Sequence, residues 1–358
     1  MWTTNPPSKL IRYLFVLRVN STLVRLPRYP ALEFSHTLGA MIAARLPTLE
    51  ARRWRKALMP RPASGAALLE VGSETTIADE SHHDGQGSGA VTSTPATGQD
   101  IPQRAWPLDA ILFVYPGKLI YGQGELILWE LKLLRDSANH GLFLETLLPA
   151  IEAAAVTKEP QWNRPGKLWG HFDLEGLYVA RGLQWQPLVK QGQIDLGLPV
   201  TPTQWLENVP VTWPDQRLPT HLTWLTPFAL GEYSAAELPK QNRRRKQKQR
   251  ARSVAPPSLT TILQALATRL GPNLPEWRSP KRSSKPSLTW AEVLHEAEKT
   301  VVLQHELQHP GKLVPGQGIG RQRFSGIPRS AVPYLMLASM LHIGDYTHVG
   351  CGTFSLSK

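Results

Sequence analysis

Hydrophobic periodicity runs through one order of elements twice in this chain: strand, helix, strand, strand, helix, strand. That order constrains the fold most, because a βαββαβ unit closes into an antiparallel sheet with its helices on one face. In the first half, LIRYLFVLR (Leu10 to Arg18) is aromatic and apolar and predicts a strand. Phe34, Leu38, Met41, Ile42 and Leu46 recur at helical spacing and predict a helix from about Pro30 to Leu46, with these residues facing the core. DAILFVY (Asp109 to Tyr115) and ELILWELKLL (Glu125 to Leu134) predict two strands, Leu142 to Val156 a second helix, and DLEGLYVAR (Asp173 to Arg181) a closing strand. The second half repeats the order with strand Leu222 to Leu230, helix Leu259 to Leu270, and strands Thr300 to Gln308 and Ile319 to Ser325. A last helix follows, with Ser330 as its cap, Pro333 in its first turn and Gly344 as its left-handed stop. Thr347 to Phe354 is then expected as an extended, glycine-bearing strand. The expected class is α+β: two tandem ferredoxin-like (RRM-like) βαββαβ domains, spanning residues 1–205 and 206–358.

Two stretches interrupt the pattern. Residues from about 70 to 103 contain no Lys or Arg and are rich in Gly, Ser and Thr, which reads as a disordered insertion in the first domain. Residues from about 239 to 257 form a basic insertion in the second. Its core, KQNRRRKQKQRAR (Lys240 to Arg252), has eight cations in thirteen residues and no apolar periodicity. The whole chain carries 40 Lys and Arg against 28 Asp and Glu, a net charge of +12. Such a balance favours a polyanionic partner, nucleic acid ahead of an anionic membrane surface. No run of about 18 apolar residues is present, so no bilayer span and no membrane partner is expected. Leu10 to Leu17 is too short for one and contains Arg12. Cys351 is the single cysteine, which excludes an internal disulfide framework or a thiolate zinc cluster and suits a reducing cytoplasm.

Three stretches carry a resemblance. YGQGELILWELKLLRDSANHGLFLETLLPAIEAA (Tyr121 to Ala154), HLTWLTPFAL with SLTTILQALATRLGP, and the terminal YLMLASMLHIGDYTHVGCGTFSLSK occur in this order. Together they resemble the RAMP-superfamily CRISPR repeat-processing endoribonucleases, whose plan is also a tandem ferredoxin-like one. The terminal segment departs in two respects: Ser355 stands where that family often has a glycine, and Cys351 stands between Gly350 and Gly352, where it commonly has a lysine.

The resemblance implies a cytoplasmic, metal-independent RNA endonuclease with no cofactor. It would cut CRISPR repeat RNA and stay bound to the crRNA hairpin, alongside other CRISPR effector subunits. The ribose 2′-hydroxyl attacks the adjacent phosphate, leaving a 2′,3′-cyclic phosphate and a 5′-hydroxyl. A noncatalytic guide-RNA-binding RAMP subunit is the alternative. The chemistry needs a group near neutral pKa for proton transfer, which suits histidine, and a cation or hydroxyl to stabilise the phosphorane. His36 on the first helix is the leading catalytic candidate; counting 100° per residue puts it on the solvent side, where it would otherwise be an ordinary surface histidine. Tyr29, just before that helix, could orient the nucleophile or bond a phosphate oxygen, or could simply be a packing aromatic. Arg28 or Arg45 could neutralise charge. Lys240, Arg243, Arg244, Arg245, Lys246, Lys248, Arg250 and Arg252 would neutralise phosphates. His348, Gly350 and Gly352 would meet RNA through the terminal segment, its bare backbone allowing close approach; His348 could equally pair with His36 or pack as a structural side chain. His342, in the last turn of a helix, reads as structural, a cation at the negative end of the dipole.

One competing motif remains. His305-Glu306-Leu307-Gln308-His309 matches the H-E-x-x-H pattern of zinc hydrolases, whose two histidines must lie one helical turn apart. The alternation in TVVLQHELQH also fits a strand, which would deny that geometry. The twelve tryptophans are scattered and form no RNA-binding aromatic motif of the RRM kind; Trp224 and Trp290 are placed near the second sheet.

Overall fold

The computed structural model describes residues 8–58, 106–156, 170–190, 192–207, 217–230, 254–271, 289–311 and 314–358. The acidic stretch at 70–103 and the basic run at 240–252 lie outside them. The chain is a mixed α+β protein built on antiparallel sheets.

The first half contributes β1 (Leu10–Val19), β2 (Leu23–Arg25), α1 (Pro30–Arg45), α2 (Thr48–Leu58), β3 (Ala110–Val114), β4 (Ile120–Gly122) and β5 (Leu126–Leu134). A short helical turn α3 (His140–Leu142) and a π-helical stretch lead into α4 (Leu148–Val156). Strands β6 (Phe172–Arg181), β7 (Gln184–Pro187), β8 (Val189–Lys190) and β9 (Gln193–Ile194) follow. The sheet runs β3-β5-β1-β6-β7. Strand β1 alternates as its composition demands: Tyr13, Phe15 and Leu17 face inward, and the β1–β5 register stacks Phe15 on Trp129 with ring centroids 4.1 Å apart. Phe34, Leu38 and Ile42 of α1 are buried in the same core, as the spacing predicted.

The second half contributes β10 (His221–Phe228), α5 (Leu259–Leu270), α6 (Trp290–Glu298), β11 (Val302–Gln308), β12 (Gly318–Phe324), α7 (Val332–Leu341) and β13 (Phe354–Ser357). Its sheet runs β11-β12-β10-β13. Helix α5 starts where Ser258 accepts a hydrogen bond from the Thr261 amide, and α6 where Thr289 and Glu292 form a reciprocal capping box. The second core gathers Trp224, Leu263 and Leu335 with Leu10, Ile111 and Leu134 of the first sheet, so the halves are joined by apolar packing.

The C-terminal segment departs from the sequence reading. Ser330 does not cap α7; its hydroxyl donates to the Glu296 carboxylate, and Ala331 holds the cap position. The helix ends at Leu341 with His342 at φ 50°, two residues before Gly344. Thr347 to Phe354 is not one strand. Thr347–Val349 forms a 3₁₀ turn, and Gly350 and Gly352 follow at φ +86° and +90°, outside the range of extended backbone. The strand register with β10 begins at Phe354, although Gly352 and Thr353 already hydrogen-bond to its backbone. Trp290 opens α6 and lies edge-on to Tyr334, while Trp224 is fully buried.

Candidate active site

Tyr29 immediately precedes α1. As the residue before Pro30 it is kept out of helical backbone (φ −126°, ψ 78°). Its hydroxyl oxygen is buried without a hydrogen-bond partner among the described residues. Burial raises its pKa; the Arg28 cation opposes that and nearby Cys351 adds to it, so the phenol stays protonated at neutral pH. The exposed Arg28 guanidinium lies 5.6 Å from the Tyr29 ring centroid. His36 is seven residues on, within about 20° of the same helix face and about 10 Å along the axis. It is half-buried rather than on open surface, because the C-terminal turn covers that side of α1.

Glycines let the turn come so close. A Cβ on Gly350 would lie 2.6 Å from the Leu112 carbonyl and 2.8 Å from Ala31 Cβ; one on Gly352 would lie 2.0 Å from the Ile343 carbonyl. Both glycines are buried, and the backbone that approaches them is the protein's own, not an open phosphate seat. The turn inserts His348 beside α1. His348 is 5% exposed, its ring centroid is 6.3 Å from that of Trp106, and Trp106 in turn packs on Trp54 of α2. Burial first, and the neighbouring His36 second, push its pKa down to about 4, so the ring is neutral at pH 7.

Not every candidate converges. Arg45 is exposed, about 13 Å along the helix from His36 and on its opposite face. His342 is not a histidinium at a helix end: it is buried, donates from Nδ1 to the Cys351 carbonyl (3.1 Å), and burial and Lys132 hold its pKa well below the usual value. Lys240, Arg243, Arg244, Arg245, Lys246, Lys248, Arg250 and Arg252 lie outside the described residues. The H-E-x-x-H motif begins on β11 and ends at His309, one residue past it, so extended chain at about 3.3 Å per residue sets the two histidines about 13 Å apart and not one helical turn apart. Among the described residues, no group of three or more His, Cys, Asp or Glu is placed to hold a metal ion.

A buried charge cluster lies on the other side of β3. Glu130 on β5 is 2% exposed; Arg12 Nε donates to it at 2.5 Å and the Tyr115 hydroxyl at 3.1 Å. Lys132 lies 3.8 Å from Glu130 and donates to the Met340 carbonyl at 2.7 Å, satisfying an orphan carbonyl at the end of α7. Burial among Arg12 and Arg269 lowers the Lys132 pKa to about 8, while Arg12, Lys132 and the Tyr115 hydrogen bond hold Glu130 ionised against its burial. The signal was present in ELILWELKLL, where Glu and Lys sit two apart in an otherwise apolar strand.

No protein-family model and no curated protein matches the sequence. Solved structures do match along nearly the whole chain at low identity. One is described as a partial Cas6-RT-Cas1–Cas2 complex (TM-score 0.47, 10% identity, 99% of this chain covered). This chain spans about half of that one, 47% of its length. A Cas6 product complex gives 0.42 at 15% identity, covering 97% of this chain and 99% of the other. A RAMP protein binding different RNA substrates gives 0.36 at 11%, covering 97% and 100%.

Proposed function

We propose that this chain is an endoribonuclease that binds and cuts CRISPR repeat RNA within a pair of ferredoxin-like modules, residues 1–205 and 206–358. The carrying observation is that the C-terminal glycine turn, wedged against α1, sets His348 beside His36 and Cys351 near Tyr29. The recurrence of one strand order supports the modular reading: β3-β5-β1-β6, with β7 added at the edge, and β11-β12-β10-β13 both run 2-3-1-4 when the four strands of each are numbered in chain order. The net charge of +12 supports a polyanionic substrate.

In this reading His36 moves the proton, either from the 2′-hydroxyl or to the departing 5′-oxygen. Protonated Tyr29 donates to a nonbridging oxygen as charge develops on the phosphorane, and Arg28 supplies a nearby cation. His348, 5% exposed and beside His36, serves as a positioning residue rather than a phosphate contact. The nucleophile belongs to the substrate, so the route needs no metal-activated water. The products are a 2′,3′-cyclic phosphate and a 5′-hydroxyl, with the 3′ hairpin retained. The basic run Lys240 to Arg252 neutralises further phosphates.

Repeat RNA incubated with the protein in EDTA should be cut to a cyclic phosphate. His36→Ala should cost about 10²–10⁴-fold in rate while sparing affinity. Binding without cutting by the unaltered chain would favour the noncatalytic RAMP subunit. Deleting residues 240–252 should weaken binding and flatten its salt dependence by roughly 0.7–0.9 log units for each phosphate that the variant leaves unneutralised; an unchanged slope would remove that segment from the interface.

A further inference from the structure

Beside Tyr29, on the side away from His36, a cavity of about 270 Å³ opens between the two halves. Tyr29, Leu32 and Tyr115 line it from the first half, and Leu225 and Pro227 from the second. Its volume falls just below the roughly 300–1,000 Å³ of sites that hold drug-sized ligands, so it admits one flat group and no more. The walls are mostly apolar. Lys118, Tyr115 and Thr226 add polar groups to the lining, and the Tyr29 hydroxyl is a buried donor left without a hydrogen-bond partner among the described residues, which carries a cost until something accepts from it. Arg28, exposed at the rim and set against the Tyr29 ring, marks the mouth as a place for negative charge. A slot walled by tyrosines and apolar side chains, with Arg28 and Lys118 among its lining, has the chemistry that holds an unstacked base with its phosphate.

We infer that this cavity receives a single unpaired nucleobase of the RNA, adjacent to the bond that is cut. This rests on the proposed function and adds a specificity element to it. Tyr29 then serves two neighbouring groups: the ring meets the base in the cavity, and the hydroxyl is shared between base edge and phosphate. Extruding the base also turns the backbone at that nucleotide, which is how a helical strand could be bent towards in-line geometry. Leu225 (40% exposed) and half-buried Leu32 both line the cavity, one from each half, and neither belongs to the proposed proton-transfer machinery.

The test uses the full chain and repeat RNA carrying 2-aminopurine at each position flanking the cut in turn. Binding should raise the fluorescence severalfold at one position, or shift its emission if the ring stacks on Tyr29. Leu225→Trp, which narrows the cavity, should abolish that change while RNA is still bound; Leu32→Trp narrows it from the other half if the first variant does not fold. RNA bound with no spectral change at any position, or a change that persists in both variants, overturns the base pocket and leaves the endoribonuclease reading standing. Failure of the unaltered protein to bind repeat RNA at all overturns both.

Discussion

The two sheets share a strand order and differ in what they do with the face turned away from their helices. On the first sheet part of that face is spent on the join between halves, while Leu126 and Leu128 at the other end of β5 stay exposed. Ile111 and Leu134 enter the second core there, and Glu130 is buried with Arg12 and with Lys132, whose ammonium reaches the end of α7. On the second sheet the corresponding face is open. The register sets Glu306, Arg321, Thr223 and Ser355 in one row and Gln304, Arg323, His221 and Ser357 in the next, all exposed or half-exposed. Topology alone therefore does not choose the surface that joins the halves. The outward positions of each strand do, and the first sheet alone carries a charge cluster whose members satisfy one another and can be buried.

Breaking that cluster should have the largest effect. Glu130→Ala leaves Arg12 and Lys132 buried without their carboxylate and should cost about 3–5 kcal/mol in urea unfolding. A loss under about 1 kcal/mol would mean the join is carried by apolar packing alone, and the contrast between the faces would lose its electrostatic half.

The next test is pH. His348 titrates near 6.5 when unfolded and near 4 when folded. The unfolded state thus binds more protons between these values, and stability falls as pH drops through this window. The shift corresponds to roughly 3 kcal/mol for His348, at about 1.4 kcal/mol per unit. His342, depressed for the same reason, adds to it. Urea midpoints measured from pH 7 to pH 4 should fall less steeply in His348→Gln than in the unaltered chain. Parallel curves would show that the C-terminal turn opens and lets the ring reach solvent.

How far the sequence disclosed this depends on which forces act. Strands and helices with strong periodicity, such as β1, α1 and α5, were legible because a single buried stripe dictates each. Helix α2, helix α6 and the short pairs β2–β4 and β8–β9 were not, being short or dependent on tertiary partners. In the site, Tyr29 and His36 could be placed together by counting along one helix. His348 could be named but not located: its glycines signalled close approach without saying whose backbone approaches, and the answer is Leu112 and Ile343. Trp106, which lies against the histidine, and Trp54 packed behind it gave no local signal, since only the fold brings them there.

Two glycines sharpen the comparison at smaller scale. Gly350 and Gly124 have nearly the same dihedral, φ +86° and +82°, but a Cβ at Gly124 meets nothing within 4 Å. Gly124→Ala should cost only the strain of a left-handed alanine, about 1 kcal/mol. Gly350→Ala adds collision with Leu112 and Ala31 and should approach about 3 kcal/mol. It should also slow cutting, because His348 is displaced from beside His36. Equal losses of stability would mean that the turn is not wedged against β3 and α1.

The smallest effect is expected on the open face. Arg321 and Arg323 project from β12 with no ion pair among the described residues, and an exposed cation on a solvated sheet contributes little to folding. The double variant Arg321→Ala with Arg323→Ala should therefore shift unfolding by no more than about 0.5 kcal/mol. Its value lies in the contrast with Glu130→Ala, since both remove charge from equivalent faces of sheets with the same strand order. A cost near that of Glu130→Ala would place a second protein surface on the open sheet. The asymmetry between halves would then reflect two different partners, and not one partly covered face and one bare one.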